Sequence, residues 1–199
     1  MAKNTSLTTL GLTIDNCDEL SLSEDWRKGL GDGLVGNTSL TTLNLTINSG
    51  SLNTNEDWTK GLGDGLARNT ALTTLSLTIG SSNLHMSKDW TKGLGDGLAR
   101  NTTLTTLSLT INSSNFHMIG DWTKGLGDGL ARNTSSTILS LTIKSSYLSM
   151  REDWTKSLDD GLAKNTSLTT LSLSINSSKL DMREDWAKGL DDCRRKTRH

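Results

Sequence analysis

His85 and His117 are the residues of this chain whose type and spacing best suit metal chemistry. They stand 32 residues apart, and each is followed by a methionine. Imidazole nitrogens bind several transition metals, but protein sites for these metals usually use three or four ligands. No third ligand recurs beside the two histidines, so we expect solvated histidines and neither a metal ion nor another cofactor.

Acidic residues recur directly before the tryptophans, at Asp57, Asp89, Asp121 and Asp153. A carboxylate at that position suits helix capping or dipole compensation better than paired acid–base catalysis. The chain also lacks a Ser-His-Asp arrangement, a phosphate-binding loop and the Cys-His spacing of a metal site. Its Gly-Leu-Gly-Asp-Gly segments fall inside a predicted helix, whereas a phosphate loop lies between a strand and a helix. We therefore predict that the protein is not an enzyme.

A repeat of 32 residues must position all of these side chains. It is marked by Trp26, Trp58, Trp90, Trp122, Trp154 and Trp186, which we expect to lie in the core. A unit of this kind cannot bury its apolar face alone and stacks on its neighbours. The repeat runs from Asn4 to Asp192, so residues 1–199 are predicted to form one solenoid domain, with a polar basic tail at 193–199.

Two hydrophobic periods alternate within each unit. In one copy Leu75, Leu77 and Ile79 alternate with small polar residues, which predicts a strand with one apolar face. A polar stretch at 80–89 follows and is predicted to be a loop. Apolar residues then recur at the four-residue spacing of an amphipathic helix over 90–98. Asn101 would end that helix in the left-handed conformation.

The order of strands and helices predicts the topology. Each strand is reached through a helix, so successive strands should lie parallel, in sequence order, with the helices on the opposite side. Strands lie about 4.8 Å apart, whereas helix axes lie about 8 to 10 Å apart. We therefore expect an arc with the sheet on its concave face and the helices on its convex face.

Residues 40–48, 104–112 and 168–176 match the leucine-rich repeat signature L-x-x-L-x-L-x-x-N. The junction G-L-A-R-N-T-x-L-T-T-L is similar to that of ribonuclease-inhibitor-like repeats, including those of NOD-like receptors. The resemblance implies an α/β leucine-rich repeat solenoid, a horseshoe arc of about six strand-loop-helix repeats. It also implies a curved surface that binds macromolecules, with no shared reaction.

The unit departs from that family in length and in one column. It is longer than the usual 20 to 29 residues, and the signature asparagine is replaced by Asp15, Gly80 and Lys144 in three copies. The loop between strand and helix is the predicted place of the additional residues.

Small polar side chains form one continuous candidate binding surface on the outward face of the predicted strands. The residues are Thr42, Asn44, Thr46, Thr74, Ser76, Thr78, Thr106, Ser108, Thr110, Ser140, Thr142, Thr170, Ser172 and Ser174. Threonine also simply suits a strand and its cross-strand neighbours. The surface lacks the Tyr, Trp and Arg side chains that usually dominate affinity, so specificity is also expected from the variable loops.

Three functions from different classes are compatible with these features. The favoured one is a recognition module for a protein or another macromolecule, resembling the sensor region of NOD-like receptors. The alternative is a structural protein that stacks end to end, because the chain starts within a unit and would expose an open N-terminal edge strand. Ice binding by the regular hydroxyl rows is the least favoured, because an arc does not match a flat crystal surface.

Charge and hydropathy narrow the partners and the location. The net charge of -1 gives no reason to expect nucleic acid or an acidic membrane surface as a partner. No apolar run approaches the roughly 20 residues of a membrane-spanning helix. The N-terminus also lacks a signal-peptide core, which predicts a cytoplasmic protein unless a signal sequence is missing. Eight Asn-x-Ser/Thr acceptor sequences matter only if the protein is secreted.

Overall fold

A computed structural model describes residues 6–20, 24–54, 59–86, 90–118, 122–150 and 154–182. They form six strands and five intervening helices. The strands are β1 (Thr9–Leu20), β2 (Thr42–Thr54), β3 (Thr74–Met86), β4 (Thr106–Met118), β5 (Ile138–Met150) and β6 (Thr170–Met182). The helices are α1 (Glu24–Gly36), α2 (Thr59–Arg68), α3 (Lys92–Arg100), α4 (Lys124–Leu130) and α5 (Trp154–Lys164). The predicted α/β repeat array is confirmed over these residues.

All six strands belong to one parallel sheet in the order β1-β2-β3-β4-β5-β6. From β2 onward each residue pairs with the residue 32 positions later, as Leu43 does with Leu75. β1 begins with an offset of 33 and ends with one of 32, because it carries one additional residue between Asn16 and Glu19. The bulge in β1 thus restores the common register.

The strands are longer than the sequence predicted, and the loop expected at 80–89 is wrong over its first seven residues. β3 continues to Met86, with Ser81 buried, Ser82 and Asn83 exposed, and Leu84 buried. Two successive exposed residues shift the alternation by one, while the register with the neighbouring strands stays at 32 residues. The polar composition of this segment does not predict a strand. The segment is a strand because it pairs with the equivalent segments of the neighbouring units.

One hydrophobic core lies between the sheet and the helices. Strand residues such as Leu75, Leu77 and Ile79 and helix residues such as Leu94 and Leu98 are fully buried in it. Burying a leucine side chain contributes about 1.5 to 3 kcal/mol, so the leucine columns are a major stabilising contribution.

The tryptophan prediction is confirmed where the side chains are described. Trp90 and Trp122 are fully buried, with ring centroids 5.9 Å apart. Trp58 and Trp186 lie outside the described residues, as do the aspartates of the acidic column, and the side chains of Trp26 and Trp154 are not described. The basic tail at 193–199 also lies outside the described residues.

Buried asparagines join each helix-to-strand junction to the preceding unit. The Asn101 side-chain nitrogen donates to the Leu66 and Asn69 carbonyl oxygens, at 2.7 and 3.2 Å. Its side-chain oxygen accepts from the backbone N–H groups of Thr103 and Leu104, at 3.0 and 2.6 Å. The same contacts recur at Asn69, Asn133 and Asn165. We call this column the asparagine ladder.

The left-handed helix end predicted at Asn101 is wrong. Asn101 has φ −74° and ψ 134°, which is extended backbone, while its N–H donates to the Gly97 carbonyl. The residue is therefore used for its side-chain amide and not for its tolerance of positive φ.

Buried threonines cap the helices of neighbouring units. The Thr59 hydroxyl, in α2, donates to the Trp90 carbonyl at 2.6 Å and accepts from the Leu94 N–H at 3.2 Å. Leu94 lies in the first turn of α3, where backbone N–H groups have no partner within the helix. Thr91 makes the equivalent contacts with Trp122 and Leu126. The starts of α3 and α4 are thus each completed by a threonine from the unit before.

Glycines allow adjacent helices to approach closely. A Cβ atom on Gly95 would overlap the Gly125 carbonyl, and one on Gly97 would overlap the backbone of Gly63. Helix propensity alone would favour alanine at both positions. We infer that close contact between helices outweighs the loss of propensity, and we expect the small helix spacing to favour a shallow arc.

Gly95→Ala and Gly29→Ala form a matched pair that tests this explanation. The Gly95 change should lower the free energy of unfolding by roughly 1 to 3 kcal/mol, because backbone must move. Gly29 lies in α1 with no neighbour within 4 Å of an added Cβ, so its change should raise stability by about 1 kcal/mol. Urea unfolding followed by tryptophan fluorescence measures both, and equal effects would contradict the explanation.

Asn101→Ala should lower the free energy of unfolding by on the order of 3 kcal/mol or more. The change removes four hydrogen bonds, and each buried group left without a partner costs about 1 to 3 kcal/mol. Thr102→Ala, at the neighbouring exposed position, is the control and should change stability by less than about 0.5 kcal/mol. Urea unfolding provides the measurement, and a loss no larger than that of the control would refute a stabilising ladder.

Candidate functional site

The predicted surface residues lie together on the face of β2 to β6 that points away from the core. Register aligns them in three rows across the sheet, and we call these rows the polar lattice. The rows are Thr42-Thr74-Thr106-Ile138-Thr170, Asn44-Ser76-Ser108-Ser140-Ser172 and Thr46-Thr78-Thr110-Thr142-Ser174. Their side chains are half-buried or exposed. The lattice therefore offers short hydroxyl groups, with one amide, at the spacing of the strands.

Ile138 interrupts the first row of the lattice. It is 39% exposed and pairs with Thr106 and Thr170 on either side. A single exposed apolar residue is ordinary on a protein surface. It nevertheless makes the lattice less regular than a uniform row of threonines.

A groove runs across the strands beside the lattice, and we call it the polar groove. Its volume is about 920 Å³. It is lined by Asp15, Asn48, Ser49, Gly50, Gly80, Ser81, Ser82, Asn112, Ser113, Ser114, Lys144, Ser145, Ser146 and Asn176. Most of these lining residues are serines and asparagines, and none of them has a hydrophobic side chain.

The column in which the leucine-rich signature carries asparagine lines this groove. Asn48 and Lys144 are exposed, and Asn112 is half-buried. The column lies in the middle of the strands and is thus separate from the asparagine ladder, whose residues precede the strands. Because its members face outward, replacement by Gly80 or Lys144 leaves no buried polar group without a partner.

Internal hydrogen bonds fix the lining of the groove. The Asn48 side-chain nitrogen donates to Asp15 Oδ1 at 2.7 Å. The buried Ser81 hydroxyl donates to the Asn83 carbonyl at 2.7 Å, across the point in β3 where the alternation shifts. Serines 49, 113, 145 and 177 repeat this contact in the other strands. The serine column therefore holds the bend that shapes the groove.

An aromatic and charged cluster lies near the carboxyl ends of β3 to β6, and we call it the aromatic margin. The His85 and His117 rings stack with centroids 5.1 Å apart and planes inclined by 13°. The Tyr147 ring lies 5.7 Å from His117, and Lys179 Nζ lies 5.5 Å from the Tyr147 centroid. The Tyr147 hydroxyl lies 3.5 Å from Asp181 Oδ2. Mutual contacts therefore restrain these five exposed or half-exposed side chains.

Sequence reasoning paired the two histidines but missed the rest of the margin. Tyr147 belongs to the column of Asn83, Asn115 and Lys179, and Asp181 belongs to the histidine column. Both columns fall in the segment that the sequence predicts to be a loop. Residues at equivalent positions of successive loops need not be neighbours. Aligning them as strands at the 32-residue offset would have revealed the cluster.

The described residues contain no group of three or more His, Cys, Asp or Glu side chains arranged to hold a metal ion. The His85 and His117 rings are stacked, with their centroids 5.1 Å apart. Cys193 lies outside the described part of the chain, and the Cys17 side chain is not described.

Comparison with known proteins adds no family assignment. No protein-family model matches this chain, and no curated protein matches it significantly. Among the described helices, none is long and apolar enough to cross a membrane. The function is therefore argued from the geometry of the sheet surface.

Proposed function

We propose that this protein is a non-catalytic repeat scaffold that recognises a macromolecule, with a protein as the expected partner. The carrying observation is the polar lattice, in which fourteen predicted residues align in register on one face of the sheet. The opposite side is occupied by the helices and the core. A rigid, exposed and regular face of this kind suits a surface that binds another macromolecule.

We also propose that the array is a leucine-rich repeat, similar to ribonuclease-inhibitor-like repeats and the sensor region of NOD-like receptors. The support is the leucine signature, the parallel strand-helix order and the asparagine ladder, of which Asn69, Asn101 and Asn133 are buried. In the wider family the curved surface carries recognition, and fold alone does not identify a ligand.

The size of the lattice indicates how much surface a partner must cover. Five strands about 4.8 Å apart and five residues of about 3.3 Å each give a patch of roughly 400 Å². A stable interface buries about 800 Å² on each partner. The partner is therefore expected to extend from the lattice onto the aromatic margin, where Tyr147 offers the type of anchor that the lattice lacks.

A cytoplasmic location is part of this proposal. Asn101, Asn133 and Asn165 begin glycan acceptor sequences, but their amide nitrogens donate to backbone carbonyls of the preceding unit. A glycan on these nitrogens would break the asparagine ladder. The use of such sequences for structure is consistent with a compartment where N-glycosylation does not act on the chain.

Site-specific photo-crosslinking tests recognition by the lattice. A photo-reactive residue at Ser108, in the lattice, should capture a discrete partner, whereas one at Lys92 on the exposed helix surface should not. Unlabelled wild-type protein should compete, and a folded variant with Ser76→Glu, Ser108→Glu and Ser140→Glu should not. Capture of the same proteins at both positions, or equal competition by the variant, would rule out lattice recognition.

End-to-end stacking is a second candidate, because the described sheet ends at β1 on one side and at β6 on the other. β1 and β6 each have one neighbour within the described sheet. Leu180 in β6 is 42% exposed, whereas the equivalent Leu148 is fully buried. A strand of a second copy placed there would extend the existing parallel register and cover this leucine.

Light scattering coupled to size-exclusion chromatography separates stacking from a monomeric scaffold. If copies stack, the mass should rise above 21.5 kDa with concentration, and Leu180→Lys should suppress the rise by placing a charge at the contact. Thr102→Ala serves as the exposed control. A mass that stays at the monomer value over the whole concentration series would refute stacking.

A further inference from the structure

The polar groove has a lining that suits a ligand rich in hydroxyl groups. Amide side chains such as Asn48 and Asn112 both donate and accept hydrogen bonds, and serine hydroxyls do the same. The formal charges in the lining are those of Asp15 and Lys144, and Asp15 is already bonded to Asn48. The middle of the groove, around Gly80, is therefore polar and uncharged.

Other classes of ligand fit this lining poorly. A drug-like apolar molecule needs a mainly hydrophobic pocket. Nucleic acid needs several cationic side chains along its phosphates, whereas Lys144 is the one cation that lines the groove. A protein partner relies on deep apolar or arginine anchors, and the groove itself supplies none. These comparisons leave an uncharged polyhydroxyl chain as the best chemical match.

The direction and length of the groove favour a linear chain. It crosses all six strands from Asp15 to Asn176, a span of about 24 Å at the usual strand spacing. Donors and acceptors recur at every strand along this line. A polymer of sugar rings would present hydroxyl groups repeatedly over the same distance.

The aromatic margin provides a second, independent feature beside the groove. Tyr147 directly follows Ser146, a groove residue, and its ring is half-exposed. His117 and Lys179 restrain that ring. An aromatic side chain is apolar on its body and polar at its tip, so this ring can cover the C–H face of a sugar while the groove binds its hydroxyls.

The groove is also held in one shape before any ligand arrives. The buried hydroxyls of Ser81, Ser113 and Ser145 donate to the backbone carbonyls of the residues two positions later. Ordering flexible side chains reduces affinity, so a preformed lining binds more strongly than a mobile one. We infer that the polar groove, together with Tyr147, is a binding site for a linear, uncharged oligosaccharide. This site goes beyond the proposed protein recognition: its hydroxyl-binding residues lie in the groove and not in the lattice, and Tyr147 is the residue that the two proposals share.

Titration of the full chain with cellohexaose, laminarihexaose and chitohexaose, followed by backbone amide NMR, tests this site. At least one sugar should cause saturable shifts at Asn48, Gly80 and Asn112. Combining Asn48→Ala with Asn112→Ala should weaken binding about thirtyfold, since each of the two lost hydrogen bonds contributes about 1 kcal/mol. Tyr147→Ala should also weaken it, whereas Tyr147→Phe should retain it because the ring remains.

Thr106→Ala, in the polar lattice, is the matched control and should bind sugar as the wild type does. The same amide spectra report whether each variant is folded. The inference would be overturned if no sugar gave saturable shifts, if the double variant bound equally well, or if a Gly-Ser peptide of similar length bound the groove as tightly. Crosslinking at Ser108 is independent of these results, so failure of the sugar site and failure of protein recognition are distinguishable.

Discussion

The fixed 32-residue register is the constraint on which the rest of the structure depends, because neighbouring units complete one another's hydrogen bonds. Asn101 satisfies carbonyls of the preceding junction, and Thr59 satisfies an N–H in the first turn of the following helix. Leaving such groups buried without partners would cost about 1 to 3 kcal/mol each. A unit is therefore unable to close its own core or its own helix ends, and a change in repeat length would displace both sets of contacts. β1 illustrates the requirement, since its additional residue is absorbed in a bulge and the register recovers.

The same register converts sequence positions into rows of surface chemistry. A serine at one outward position becomes a row of hydroxyls when neighbouring units carry it, as Ser76, Ser108 and Ser140 do. Variation is tolerated where the row faces outward: Gly80 and Lys144 occupy one column without breaking a buried contact. Inward positions are more constrained, since the buried Ser136, which replaces leucine in one column, has to place its hydroxyl and donates it to the Leu104 carbonyl at 3.1 Å. Recognition is therefore expected to depend on differences between units in the groove and margin, superimposed on a lattice that changes little.

Local periodicity was sufficient to predict the strands, the helices, the buried leucine columns and the outward position of the lattice residues. The prediction failed where a residue's contacts are made with another unit, because a short stretch of sequence holds no information about that unit. The polar sequence around strand residues such as His85 predicts a loop, because their hydrogen-bonding partners lie 32 residues away. Asn101 was explained by backbone conformation, whereas its role rests on carbonyls of Leu66 and Asn69. The aromatic margin was missed for the same reason, since Tyr147 contacts residues 30 and 32 positions away. Comparing equal positions in successive units is the step that recovers these contacts.

The glycines at the contacts between helices, such as Gly95 and Gly97, are expected to affect the shape of the sheet as well. Helix axes normally lie about 8 to 10 Å apart and strands about 4.8 Å apart, and that mismatch bends a solenoid. Where Gly95 meets Gly125 the helices approach more closely than side chains would allow, so less bending is required. A shallower arc keeps the rows of the lattice and the polar groove straighter over several strands. Straight rows favour a rigid, linear ligand that contacts many units weakly. They also improve the match to a flat ice surface, but Asn44, Ile138 and the adjacent groove interrupt the regular hydroxyl array that such a surface would require.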